Sequence, residues 1–552
     1  MNFDQKFRSV ISSLFATQKA HIVDAGLISE PFRVERGVRQ GDPLSPLLYI
    51  LAINPLIQAI NQNIKGIQVN NSTFKIAAYA DDLSVGISSP SDWSKLLEIL
   101  AKYEKASNAI INKAKSTLIP LTNIARRVEL PNQNRFKLSS EDQNSFTILG
   151  YTVDIEGHPA KTLWSEVTKK IKNRIQDLTL RNLSFKGKIL ASKTLLISKI
   201  WYLAYLLPPT RKQLNEINSL ITNWIKKNSR MLPQYSTFQL STEQGGLAAP
   251  ILKDMLDVRL LSIWIKLLSS NTFWARTERE KATIRLQNKR KLSPGAALSQ
   301  SPCKIKGWPD SWKPYITAWR RFKGSINTTY TWPWTLEQIK INDIEGQQFT
   351  VKKVLQSWYK STEQSRDNSE KQIEGYIPYK WLKTKWVLNK KKDIFWRLNH
   401  RALPLGYRLV HIDQNNLEDC PNCPYVTQTI EHFALKCPLS KIIWETTYRL
   451  LKEAENDHIP NSLEEIFQAT NIKNTKKREA ATWLHITTIY EIWCWYTQAR
   501  WGNSLIPQET IAGVIKIRLK YEINLLYKLA YRNLNSRPNK ARRIISFIEH
   551  ST

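Results

Sequence analysis

The chain has 552 residues, with 81 Lys+Arg against 47 Asp+Glu and a formal net charge of +34. That length accommodates several domains, and a charge excess on this scale excludes an ordinary neutral enzyme surface. A polyanion would relieve the self-repulsion, so nucleic acid is the first partner to consider. Five Cys exclude a disulfide scaffold and imply a reducing compartment. Met1-Asn2-Phe3-Asp4-Gln5 lacks a signal-peptide pattern, so the expected location is nuclear or cytoplasmic, not secreted. The most apolar stretch, residues 195–207, is broken by Ser198 and Lys199 and reads as too short to span a membrane.

In chain order, Phe7, Val10, Ile11, Leu14 and Phe15 share one helical face. An extended stretch over 20–23 leads to the turn Asp24-Ala25-Gly26. Arg39-Gln40-Gly41-Asp42-Pro43-Leu44-Ser45-Pro46 is a turn punctuated by Gly and Pro. Residues 47–60 then read as a helix with apolar residues on most faces, hence buried. Residues 74–80 and 83–87 are β-rich runs that meet at Asp81-Asp82, which predicts a hairpin with two carboxylates at its tip. Ser89-Pro90-Ser91 is a start signal for an amphipathic helix over 92–107, and 116–119 and 146–153 read as further strands. From 163 to about 270 the pattern is helical and basic. Lys289-Arg290-Lys291, Pro294-Gly295 and Pro302 mark 287–313 as a linker. The remainder reads as mostly helical, interrupted near 402–440 by a Cys/His cluster. Of the 20 Trp, 14 follow residue 300. Core packing is the main reading for them and base stacking the alternative.

Two sets of residues carry chemistry. Paired Asp in a loop is ordinarily just solvated. Here Ala77-Ala78-Tyr79-Ala80 precedes the pair, Leu83-Ser84-Val85 follows it, and the Arg39 block lies upstream. Nucleotidyl transfer needs several carboxylates converging to hold two divalent cations about 4 Å apart against triphosphate charge. Gly41 lets backbone approach a nucleotide closely, Gln40 is a neutral donor and acceptor, and Pro43 and Pro46 fix the start of the helix. The second set is Cys420-x2-Cys423-x8-His432-x4-Cys437, which holds three of the five cysteines. Four soft ligands in one short segment suit a closed tetrahedral Zn²⁺ site with a structural role. Cys303 and Cys494 read as lone thiols, and His485 as a core or surface residue, not a ligand.

The identity and order of these motifs resemble the reverse transcriptases of LINE-type (non-LTR) retrotransposons. The resemblance covers residues 1 to about 270 and resumes from about 390 to 445. It implies an α+β fold: a partial reverse-transcriptase palm over 1–155, a helical thumb over 156–270, a helical connector of unknown role over 271–400, a zinc-knuckle region over 401–445 and a C-terminal helical region over 446–552. By resemblance, Asp81 binds Mg²⁺ (or Mn²⁺) directly and Asp82 supports it. Arg39, Gln40 and Gly41 match the substrate and template loop, with Tyr79 beside the acids. Leu149-Gly150-Tyr151 matches the primer-grip hairpin, placing Gly150 against substrate. Lys115 is the candidate to protonate the pyrophosphate leaving group, with Lys113 in reserve and a solvated turn lysine as the alternative. Leu183-Ser184-Phe185-Lys186-Gly187-Lys188 and Glu243-Gln244-Gly245-Gly246-Leu247-Ala248 match the thumb. Lys186, Lys188, Lys193 and Lys199 there would meet the phosphates of a primer–template duplex; a solvated helix face is the alternative. Pro438-Leu439-Ser440-Lys441-Ile442-Ile443-Trp444-Glu445 continues the match after the knuckle.

The implied activity is DNA synthesis from dNTPs on an RNA template and a DNA primer. The family's first palm motif, an Asp at a strand end, is expected upstream of Arg39. This chain offers Asp4, at a helix start, and Asp24, in a turn. The expectation is therefore an incomplete metal site, no polymerase activity from this chain alone, and a chain that is a C-terminal portion of its family's protein. The competing reading is a non-catalytic, nucleic-acid-binding retroelement remnant. An intron-encoded maturase would share palm and thumb, but the knuckle spacing and thumb sequence favour the LINE type.

Overall fold

The chain, in a computed structural model, divides into two compact units. The structure describes residues 3–16, 18–24, 26–34, 37–138, 145–154, 159–160, 162–227, 231–299, 307–326, 334–366, 387–449, 458–469, 477–502 and 507–531. The first unit combines residues 1–161, 264–313 and 325–339; the second combines 162–263, 314–324 and 340–552.

In the first unit the core forms where two helices cross under the acid hairpin. Helix Ser45–Asn63 begins with Pro46 in its first turn, where the missing N–H costs nothing. Asp42 Oδ1 accepts from the Leu44 amide at 2.8 Å and the Ser45 hydroxyl donates to the Arg39 carbonyl at 2.6 Å. These two bonds fold the Arg39 loop onto the helix start. Ile53, Leu56 and Ile60 form its buried stripe and pack with Ile64, Trp93 and Leu96. The helix is not buried all round, as its composition suggested. Leu47 and Ile50 are more than half exposed, because helix Pro90–Ser107 and the hairpin cover only one side. That second helix is capped by Ser89, whose hydroxyl accepts from the Asp92 amide at 3.2 Å. Asp92 is buried and accepts from the amides of Lys65 (3.0 Å), Gly66 (3.3 Å) and Ser88 (3.3 Å) and from the Ser88 hydroxyl (2.9 Å). Burial alone would raise its pKa, but these bonds hold the carboxyl below its ordinary value. Helix Gln5–Phe15 forms as its periodicity suggests, yet none of its residues is buried.

The described residues of 287–313 do not form a linker. Their basic run ends helix Phe273–Arg290, with Lys291 in the left-handed C-cap conformation at φ 53°. Pro294 starts a second helix, Pro294–Ser299. Beyond it, Trp312 packs at 5.0 Å from Trp264 and 5.5 Å from Trp308, ring centre to ring centre. This aromatic cluster ties the segment back to Trp264, which belongs to the same unit. Pro302 and Cys303 lie outside the described residues.

The second unit is helical throughout most of its length. One stretch, Phe185–Leu206, is long and apolar enough by composition to cross a membrane, longer than residues 195–207 alone suggested. Its Ile189, Leu196, Ile197, Ile200 and Leu203 are buried in this unit. A wider turn interrupts it at Ser192–Leu196, where the Ile197 amide reaches the Ser192 carbonyl at 2.8 Å. Trp319, Trp396 and Trp444 are fully buried, so core packing accounts for these three. Helix Pro438–Tyr448 packs against both Lys477–Trp501 and Gln508–Tyr531. His485 is buried there, within hydrogen-bond reach of the Tyr448 hydroxyl (2.8 Å) and the Ile466 carbonyl (2.9 Å). It is a core residue.

Candidate metal centres and nucleic-acid surface

The hairpin pairs Ile76–Tyr79 with Asp82–Val85, Tyr79 facing Asp82 across the turn. Ile76, Leu83 and Val85 pack on the two-helix core, so period-two alternation sends the intervening side chains outward. Ala80 turns the chain at φ 51°, which leaves Asp81 and Asp82 side by side and exposed at the tip. Tyr79 beside them is 70% exposed. Helix Ser45–Asn63 runs against this hairpin. Its Tyr49 titrates above the ordinary tyrosine value, chiefly through burial and then through the negative charge of Asp81. The Arg39 loop and the acids are thus tied to one scaffold through this helix. Sequence reading passed over Tyr49, although its place four residues after Ser45 puts it on the same helical face.

Arg39, Gln40 and Gly41 are exposed on their loop, with Gly41 at φ 92°, a conformation that favours glycine. Leu149 and Gly150, at φ 48° and 79°, make the turn between Ser145–Ile148 and Tyr151–Asp154, a two-residue hairpin with both central residues left-handed. Lys115 is exposed on a short turn, its amide bonded to the Asn112 carbonyl, and Lys113 is half-buried.

The four thumb lysines do not share one solvent face. Lys186 and Lys199 are exposed. Lys188 is buried, and its ammonium donates to the carbonyls of Trp224 (2.7 Å) and Ile225 (3.2 Å). It satisfies the C-terminal carbonyls of helix Arg211–Lys226, which removes it from the set that can meet a phosphate. Burial, with Lys227 nearby, pushes its pKa down to about 8. Lys193 donates to the Ala248 carbonyl at 2.7 Å, and burial lowers its pKa too. Spacing along the helix could not reveal this, because the acceptors lie on other segments of the chain.

The Cys/His cluster is assembled by two local devices. Cys420 and Cys423 face each other across a tight hairpin over Pro421-Asn422. His432 and Cys437 flank a five-residue wide turn, the Cys437 amide bonding to the His432 carbonyl at 2.8 Å. The four ligand atoms lie within 4.8 Å of one another. Cys437 Sγ is 4.0 Å from Cys420 Sγ and 3.8 Å from Cys423 Sγ. Tetrahedral bonds of about 2.3 Å to a metal put sulfurs roughly 3.8 Å apart, so the spacing fits. His432 Nε2 is buried with no hydrogen-bond partner, which also fits a nitrogen reserved for a metal. A hydrogen bond from the Cys420 thiol, with the Ser440 and Leu439 amides at the start of helix Pro438–Tyr448, holds the Cys437 thiol down to about 5. Its partner Cys420 is pushed above the usual thiol range by that same hydrogen bond and by burial. Cys494 stands apart, with burial raising its thiol to about 11.

Residues 1–153 match the family described as reverse transcriptase (RNA-dependent DNA polymerase). That match, with the hairpin, loop and helix, defines a reverse-transcriptase domain. The chain is 27% identical over 234 residues to the transposon TX1 uncharacterized 149 kDa protein of Xenopus laevis, covering 41% of this chain and 18% of that one. It is 25% identical over 253 residues to the retrovirus-related Pol polyprotein from type-2 retrotransposable element R2DM of Drosophila melanogaster, covering 43% and 23%. With the Pol polyprotein from type-1 retrotransposable element R2 of Popillia japonica it shares 25% identity over 207 residues, 36% of this chain and 33% of the relative. The match spans a third or less of each of these relatives. All three relatives are named for a transposon or a retrotransposable element.

Proposed function

We propose that this chain is the part of an RNA-directed DNA polymerase that supplies two metal-binding acids and grips the primer–template duplex. The observation that carries the reading is the pair of exposed carboxylates at the hairpin tip, held on the scaffold that also carries the Arg39 loop. Divalent cations there would screen the triphosphate and lower the barrier to attack by the primer 3′-hydroxyl. Asp81 and Asp82 would hold the cations, and Gly41 would give the nucleotide close access to backbone. Lys115 would protonate the departing pyrophosphate, and Lys186 and Lys199 would meet duplex phosphates.

Among the described residues, the Cys/His cluster is the one group of three or more His, Cys, Asp or Glu side chains brought within metal-binding reach. The hairpin therefore offers two acids where two-cation chemistry uses several. This favours a second reading for the polypeptide 1–552 taken alone: it binds duplex but extends primers poorly. Primer extension with purified 1–552, Mg²⁺ and dNTPs separates the two. Extension abolished by Asp81→Asn supports full activity. Duplex binding without extension supports the second reading, and absence of both rejects the two together.

The Cys/His cluster would hold one structural Zn²⁺, since a closed four-ligand shell leaves no position for water. Metal analysis of the whole chain should give about one zinc, lost in Cys420→Ser with Cys437→Ser. Stoichiometric zinc in that double variant would reject the assignment.

A further inference from the structure

The segment Glu243-Gln244-Gly245-Gly246-Leu247-Ala248 carries two adjacent glycines, and nothing in nucleotidyl transfer at the acid pair uses it. Gly245 takes φ 83°. Gly246 lies so close to the chain that an added Cβ would sit 2.1 Å from the Leu240 carbonyl oxygen. Glycine suits the first place by conformation and the second by size. The loop so formed is bonded on two sides. The Lys193 ammonium, from helix Phe185–Leu206, donates to the Ala248 carbonyl at 2.7 Å. From the other side, the Trp396 indole N–H donates to the Gly245 carbonyl at 2.7 Å, and a ring nitrogen of His400 lies 3.0 Å from the same oxygen. Trp396 and His400 belong to helix Asn389–Asn399 and its C-cap.

That helix also reaches the start of helix Phe185–Leu206 directly. The first amides of a helix have no partner within it. The Ser184 hydroxyl accepts from the Gly187 amide at 3.1 Å, which is the ordinary cap. The Phe185 amide instead donates to the Asp393 carboxylate at 2.8 Å, across 208 residues of chain. The Phe185 ring centre lies 5.9 Å from Trp396 and 5.4 Å from Phe238, which is itself 4.8 Å from Trp396. Capping alone does not need these extra ties, and they converge on the residue before Lys186. Lys186 is exposed. Burial, and then the charge of Lys186, push the pKa of Lys392 down to about 8. The two ammoniums therefore repel, and a phosphate at Lys186 would relieve the repulsion.

We propose that Asp393 and Trp396 are positioning residues for duplex binding: from inside the protein they fix the first turn of helix Phe185–Leu206, so that Lys186 is held in place to meet a phosphate. Helix ends fray, and a lysine on a fraying turn gives up binding free energy to order itself. Holding the turn in the free protein removes that cost. The inference rests on the reading of Lys186 as a duplex contact, and adds that a helix far downstream sets the strength of that contact. It needs no Mg²⁺, dNTP or acid pair.

The test measures affinity of the full chain for a short RNA–DNA hybrid duplex, in Mg²⁺-free buffer over a range of salt, with urea unfolding of each variant alongside. Lys186→Ala should weaken binding about two- to fivefold, the worth of one exposed charge contact, and flatten the salt slope by about 1. Asp393→Ala, which removes the acceptor of the Phe185 amide, should do the same. Asp393→Asn keeps an oxygen there and should stay within about twofold of the parent. In the Lys186→Ala background Asp393→Ala should cause no further loss, because the two act through one contact. Asp393→Ala also strips a carboxylate from beside Arg397, Lys188 and Lys392. If it does not fold, Trp396→Phe carries the same comparison, since it keeps a ring and drops the bond to Gly245. It should weaken binding in the parent and not in Lys186→Ala. A purely structural role would lower the urea midpoint and leave the salt slope of the folded chain unchanged, and that result overturns the proposal. So does a loss that adds to that of Lys186→Ala, or the absence of rescue in Asp393→Asn. Unchanged binding in Lys186→Ala alone defeats the reading of Lys186 and this inference together. A weakened Lys186→Ala beside parent-like Asp393→Ala defeats the inference only.

Discussion

His485 was legible in the sequence only as a histidine without ligand spacing. Its burial comes from helices that are distant in the chain. In the folded protein burial pushes its pKa down to about 4, against about 6.5 in an unfolded chain. As pH falls below about 6.5 the unfolded chain takes up a proton that the folded one refuses, so stability drops until about pH 4. Above pH 6.5 this residue carries no such penalty. The loss across the window approaches roughly 3 kcal/mol, at about 1.4 kcal/mol per pH unit. His485→Gln retains a polar side chain for Tyr448 and Ile466 but does not titrate. Urea unfolding should therefore show the variant less stable than the parent at pH 7, with the gap narrowing by more than 1 kcal/mol at pH 5. A gap of equal size at both values would refute the assignment.

Short-range devices made several elements legible. The acid hairpin, the Ser89-capped helix and the Cys/His turns are specified by neighbours in the chain, and the structure forms each of them. What stayed illegible was which face of an element another segment covers. Helix Phe185–Leu206 shows this most clearly, since its lysines look equivalent in sequence and are not. Replacing Lys188 with Ala should leave the carbonyls of Trp224 and Ile225 buried without a donor, at a cost of about 1–3 kcal/mol. Lys186→Glu with Lys199→Glu should leave the unfolding midpoint nearly unchanged, because both side chains are exposed. That double variant should instead weaken duplex binding to a similar degree on every sequence tried. Denaturation and binding measured on the same three proteins would separate the roles. A destabilised double variant, or a Lys188→Ala protein as stable as the parent, would contradict the placement.

At the scale of the whole molecule, sequence order concealed how the first unit is assembled. Residues 264–313 join it through contacts such as Phe74 with Phe273, 5.7 Å apart, while the Trp264, Trp308 and Trp312 cluster ties the end of that segment back to its start. A basic run with Pro and Gly after it has the composition of a linker, and only the distant aromatic partners decide otherwise. Charge, by contrast, is a whole-chain property that sequence gives directly, and it carries a prediction that does not depend on the fold. With a net charge of +34, binding to nucleic acid should be dominated by release of counterions from phosphates. If roughly six phosphates are neutralised on a duplex, the logarithm of the affinity falls with the logarithm of salt at a slope of about −5. Between 50 and 200 mM salt the affinity then drops about 10³-fold. The slope should be nearly the same for unrelated duplex sequences, because phosphate contacts carry no sequence information. Removing Lys186 and Lys199 together should make it shallower by about 2, one unit for each lost phosphate contact. A flat salt response would mean that the excess charge serves something other than nucleic acid. A steep slope that the double variant leaves unchanged would move the duplex surface away from helix Phe185–Leu206.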